Sequence, residues 1–137
     1  MKFWLGTHLP YWLKHAGVPL FISRATLKGL GKWPTAICEW VLDSGAFSEI
    51  KAFGEWRMSE TQYAEFAQRA VEEIGMLEWV SPMDWMCEPF MLKKTGLSVV
   101  EHQHRTVDNY LRLRQLAPEV PFVPAAIQAG WVLGPFP

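Results

Sequence analysis

A chain of 137 residues, half of them apolar and with eight Trp and eight Phe, can build one domain with its own core and is too apolar to be a disordered tail. A formal net charge of −1 excludes a global basic field, so any nucleic-acid contact must come from a local patch. The two cysteines, Cys38 and Cys87, are too few for a disulfide framework or a cysteine metal cluster, and they read as reduced thiols of a cytoplasmic protein.

Residues 3–7, Phe-Trp-Leu-Gly-Thr, are short, apolar and aromatic and predict a first strand. Residues 10–16 allow a brief helix, stopped by Gly17. A second strand is predicted over 19–23, a loop over 29–34 and a third strand over 36–42. These strands are apolar on both faces, as parallel strands covered on both sides are. The third runs into Val41-Leu42-Asp43-Ser44-Gly45-Ala46-Phe47-Ser48-Glu49. There an apolar strand breaks into an acid, a hydroxyl, a glycine and an aromatic ring. Enzymes of the α/β class place chemistry at such junctions, because the strand fixes position and the loop supplies groups. An ordinary turn, with Asp43 or Ser44 bonding nearby amides, accounts for the same residues.

A loop over 54–58 precedes a strong helix starting at Ser59, where Ser59 and Gln62 fit a capping box. Tyr63, Phe66, Ala67, Ala70, Val71 and Ile74 form one apolar stripe at helical spacing, and Gly75 ends it. Residues 78–84 predict a fourth strand that ends, like the third, in an acid. Thr95-Gly96 breaks the chain. Ser98 and Glu101 repeat the capping signature, and the helix they start runs to about Leu116, with Val100, His104, Val107 and Leu111 along one face. Pro118 lies just beyond. Residues 121–128 read as a last strand, although Pro124 lacks a ladder donor.

Alternating strands and helices predict an α/β fold with a parallel sheet of βα units. Crossovers of one hand bring the carboxyl ends of all strands to one side, so Asp43, Asp84 and Gln128 are expected to converge. No repeat or linker divides the chain, and residues 1–137 read as a single domain. No run is long and apolar enough to span a membrane, and the N-terminus lacks the core of a signal peptide.

Asp43 and Asp84 are the leading pair for chemistry. Two carboxylates at neighbouring strand ends can take different pKa values and divide acid–base work from hydrogen-bond acceptance; they can equally cap loops. Phe47 suits stacking on a flat ligand or the core. Gln128 offers both a donor and an acceptor. Trp85, Met86 and Cys87 either plug the rim of the sheet or line a pocket, and nothing nearby activates the Cys87 thiol. His102 and His104, two apart on a helix, point in different directions and do not suit a shared metal. His8 lies just past the first strand. Lys93, Lys94, Arg105, Arg112 and Arg114 suit phosphates or plain solvation.

The stretch Leu42-Asp43-Ser44-Gly45-Ala46-Phe47 resembles the Asp-Ser-Gly-Gly-Phe signature of the tRNA-guanine transglycosylases. It is more similar still to their DNA-modifying, often phage-encoded relatives, the DpdA-like deazapurine proteins. Met83-Asp84 with Cys87-Glu88-Pro89 looks like that branch too, and Gln128-Ala129-Gly130-Trp131 is similar to the family's Gln-Gly segment. The resemblance covers most of the chain, in the family's order. It implies the N-terminal half of a TIM (β/α)8 barrel and the exchange of guanine in DNA or tRNA for a 7-deazaguanine such as preQ0 or queuine. It implies Asp43 as the acid–base group and Phe47 as a stacking ring. Asp84 would accept from the N–H groups of the purine, and Gln128 would bond its carbonyl. Ser44 and Cys87 would complete the base-binding set. No metal site is implied in this chain.

Two departures stand out. Ala46 replaces the second glycine and narrows the approach to a ligand, and Ala129 interrupts Gln-Gly. The resemblance draws the aspartate that attacks the sugar C1′, and the zinc-binding Cys/His cluster of members that have one, from later strands. A full barrel takes ~250 residues, so the chain is expected to be a partial barrel, truncated after about residue 131. Alone it is expected to be inactive, and its open edge and apolar surface are expected to lead to association with a second chain, which could complete the barrel, or to poor solubility. Two other functions fit the residues: a non-catalytic binding module that keeps half of the pocket, and a carboxylate-pair glycoside hydrolase using Asp43 with Glu49 or Asp84.

Overall fold

The computed structural model describes residues 2–124. Four strands, β1 (Leu5–Gly6), β2 (Leu20–Ser23), β3 (Trp40–Asp43) and β4 (Leu77–Val80), lie side by side in sequence order, all parallel. A parallel bridge joins Val80 to Phe122, with Val80 N–H donating to the Pro121 carbonyl at 2.9 Å, and opens a fifth position beside β4. The strand order never reverses, as it does in doubly wound sheets. Singly wound, all-parallel βα units make half of a TIM-type barrel, as the sequence predicts.

The strands are shorter than expected. β4 stops at Val80 because Pro82 has no N–H to give a ladder. Trp40, Val41 and Leu42 of β3 are all fully buried, which is why that stretch is apolar without alternation. Gln128, with the second half of the predicted last strand, lies outside the described residues.

Three short helices were not legible as such: α1 (Arg24–Leu27), α2 (Ala46–Phe53) and α4 (Pro89–Thr95). The long ones are α3 (Glu60–Glu73) and α5 (Val99–Leu116). Residues 10–14 form a 3-10 turn. At α3 the capping box is complete: Ser59 Oγ accepts from Gln62 N–H at 3.1 Å, and the Gln62 side chain accepts from Ser59 N–H at 2.9 Å. At α5 one half is made, from Glu101 N–H to Ser98 Oγ at 3.1 Å. The predicted stripe of α3 packs inward through Tyr63, Ala67, Ala70 and Ile74, with Phe66 and Val71 at its margin.

Helix α5 reverses the apparent pattern. Val100, Val107 and Leu111 are exposed, whereas His102, Thr106, Asn109 and Leu113 face the interior. The apolar face points outward because the three polar residues are needed to bond the loop after β4.

Candidate functional site

β2 and β3 run in register to their last residues, Ser23 beside Asp43, and Leu42 pairs with Val80, so Ser81 follows at the same level. Ser23, Asp43 and Ser81 therefore form one row at the carboxyl rim. The Ser23 hydroxyl accepts from Ala25 N–H at 3.2 Å and the Ser81 hydroxyl from Ser44 N–H at 2.7 Å. Each thus keeps its single proton on the side of Asp43, and these hydroxyls, with the amides of Gly45 and Ser44, favour the ionised carboxylate. Burial still dominates and raises the Asp43 pKa above its ordinary value.

The chain turns sharply after Asp43. Gly45 takes a left-handed backbone, φ 80°, and a Cβ there would lie 3.3 Å from Ser23 Oγ and 3.5 Å from the Arg24 guanidinium. Both the conformation and the close approach call for glycine. Ala46, by contrast, opens α2 with ordinary helical backbone and is buried, so its position does not require one. Arg24, which sequence reasoning missed, is 2% exposed. Its Nε donates to the Ser44 carbonyl at 2.8 Å, and its guanidinium pairs with Glu49 at 3.2 Å. The other Glu49 oxygen accepts from Arg57 N–H at 3.2 Å. Glu49 is therefore committed to holding the turn, which removes it as the partner of Asp43 in a hydrolase.

The second half of the rim is the loop after β4. Ser44, fully buried, donates its hydroxyl to Asp84 Oδ1 at 3.3 Å. The Trp56 indole donates to the Asp84 carbonyl at 2.9 Å. Tyr63 donates to the Ser81 carbonyl at 2.7 Å, and burial pushes its phenol well above the usual range, keeping it a donor. Helix α5 then staples residues 83–86 from behind. Asn109 donates to the Met83 carbonyl at 2.8 Å, Thr106 Oγ1 accepts from Trp85 N–H at 2.8 Å, and His102 bonds the Met86 carbonyl at 2.8 Å. A carbonyl only accepts, so His102 Nδ1 carries the proton, leaving Nε2 for the Thr95 hydroxyl at 2.7 Å. Positions 102, 106 and 109 share one helix face. The clue in the sequence was this polar face opposite an apolar one.

The predicted residues fall as follows. Asp43 and Asp84 come to the same rim, bridged by Ser44. Phe47, in the first turn of α2, is 49% exposed and rests edge-on against Phe90, ring centroids 5.9 Å apart. Trp85 and Cys87 are buried, Trp85 against Ile50 and Met91, so this stretch packs into the rim, and Trp85 also lines a pocket. A cavity of about 470 Å³ opens beside the loop, lined by Trp56, Met83, Trp85, Arg105 and Asn109 among others, but by neither carboxylate. His8 and His104 are exposed. Among the described residues no group of three or more His, Cys, Asp or Glu side chains can hold a metal, and no helix is long and apolar enough to cross a membrane.

Parallel βα units, a buried Asp-Ser-Gly turn and a second aspartate on the same rim agree with a family match over nearly the whole chain: the model of the family DpdA, DeoxyPurine in DNA protein A, matches residues 1–132. The chain belongs to the DpdA family. No curated protein and no solved structure matches it. Membership places Asp43-Ser44-Gly45 and Asp84 within the matched part of a DpdA protein.

Proposed function

We propose that this DpdA-family chain carries the purine-binding half of a base-exchange transglycosylase, which replaces guanine in DNA by a 7-deazaguanine. The observation that carries the reading is the Ser44 bridge from the Asp43 turn to the Asp84 carboxylate. It joins an acid–base carboxyl and an acceptor carboxylate on one rim, two functions that exchange of a base requires. The family, named for deoxypurine in DNA, favours DNA over tRNA as the polymer.

Guanine and its 7-deaza analogues present N1–H and an exocyclic amine side by side. Asp84, an acceptor-only carboxylate oriented by Ser44, suits those donors. Phe47 offers a ring for the base face, and the base must leave the stack to reach it. Asp43, its pKa raised by burial, holds a proton more readily than an exposed aspartate and can give it to the leaving guanine as the C1′–N bond breaks. The resulting carboxylate can take the N–H proton of the incoming base as that nitrogen bonds C1′, so protons balance over the cycle. The carboxylate that holds C1′ in between is drawn by the resemblance from a later strand.

The test is calorimetric titration of the protein with guanine, preQ0 and adenine. Guanine and preQ0 are expected to bind, with adenine at least about tenfold weaker because it lacks the N1–H donor. Equal binding of adenine, or no purine binding, would overturn the reading.

A further inference from the structure

We infer that the exposed face shared by α2 and α4, beside the candidate site, receives single-stranded DNA; the inference rests on the DNA-modifying reading above. The two helices run side by side in the same direction. Their first turns meet at Phe47 and Phe90, and at their far ends a Cβ on Gly54 would lie 3.4 Å from the Lys94 carbonyl. Each helix carries a ring in its first turn and a lysine four residues later: Phe47 and Lys51 in α2, Phe90 and Lys94 in α4. Lys51 Nζ lies 5.4 Å from the centre of the Phe47 ring. Phe47 and Phe90 are both near half exposure, at 49% and 50%. Rings left in water on two neighbouring helices are costly unless they meet a partner.

The charge of the face fits an anionic strand. Residues 46–55 and 88–95 carry the cations Lys51, Lys93 and Lys94. Against them stand Glu55 and Glu88, since Glu49 is buried in its pair with Arg24. Cations set among exposed rings match what a single strand offers, phosphates at one repeat and unpaired base faces at the same repeat. A duplex hides those faces, so the rings select the unpaired form. α2 begins two residues after Ser44, so a strand lying on this face leads straight to the rim that holds Asp43 and Asp84.

The probe is fluorescein-labelled oligothymidylate, followed by anisotropy as salt is raised. It contains no guanine, so failure of the purine-site reading leaves this measurement standing. The wild-type protein should bind it, and less tightly as salt rises. Phe90→Ala should weaken binding about tenfold. Lys51→Gln with Lys94→Gln should flatten the log–log salt dependence by roughly 0.7 for each phosphate no longer neutralised. Both variants should bind guanine as the wild type does. The inference fails if oligothymidylate does not bind, if duplex DNA binds as tightly, if both variants bind like wild type, or if Phe90→Ala only dissociates a self-associated protein.

Discussion

The Ser44 hydroxyl meets Asp84 Oδ1 at 3.3 Å, so the residue that follows β3 orients the acid that follows β4. The bond spans 40 residues of sequence and makes one site of two strand ends. On the proposed reading, Asp84→Asn replaces an acceptor by a donor and should weaken guanine binding about tenfold or more, the worth of a hydrogen bond to a charged group. Ser44→Ala should produce a smaller loss, since Asp84 stays but is no longer aimed. Calorimetry on both variants checks the order; unchanged affinity in Asp84→Asn would remove it from the base site.

Asp43 should make stability depend on pH. Its folded pKa lies above the 3.8 of a free aspartate, chiefly through burial. The folded state therefore holds this proton more tightly than the unfolded chain. The resulting stability is fully present below the unfolded value and is lost as pH rises through the folded one. Relative to Asp43→Asn, which cannot titrate, the wild type should become less stable across that window. Urea unfolding of both proteins from pH 3 to 7, flanking the 3.8 reference, measures the difference, and a pH-independent gap would contradict it. In a protein competent for exchange, Asp43→Asn should lower kcat more than it raises KM.

The buried Arg24–Glu49 pair should behave as a structural clamp. Arg24→Met leaves the Glu49 carboxylate buried without its cation and should cost about 3–5 kcal/mol. Adding Glu49→Leu should recover much of that, because the stranded charge is gone. A double-mutant cycle by chemical denaturation reports the coupling; a loss below about 1 kcal/mol for Arg24→Met would be that of a surface pair.

Thr106→Val keeps the shape of the side chain and removes the acceptor of Trp85 N–H. The stranded amide should cost about 1–3 kcal/mol. Faster hydrogen exchange at Trp85 would tie the loss to the loop after β4. Unaltered protection there would show that the staple does not hold the loop.

Much was readable in the chain itself. Near-continuous apolar runs such as Trp40-Val41-Leu42 identify strands buried on both faces. The stripe of α3 and its Ser59–Gln62 box identify a helix, because 3.6-residue periodicity and caps are local properties. Asp43 and Asp84 stood out because each closes such a run. Tertiary structure decided the rest. Arg24 and Glu49 look like solvated charges until the Gly45 turn brings them together. His102, Thr106 and Asn109 look like the outer face of α5 beside Val100, Val107 and Leu111, yet they point inward. The backbone of residues 83–86 carries polar groups that no strand partner satisfies, and satisfying them outweighs burying three aliphatic side chains. The helical period marks a polar and an apolar face, but which of them turns inward is set by the hydrogen-bond need of a distant loop, so only the folded chain decides it.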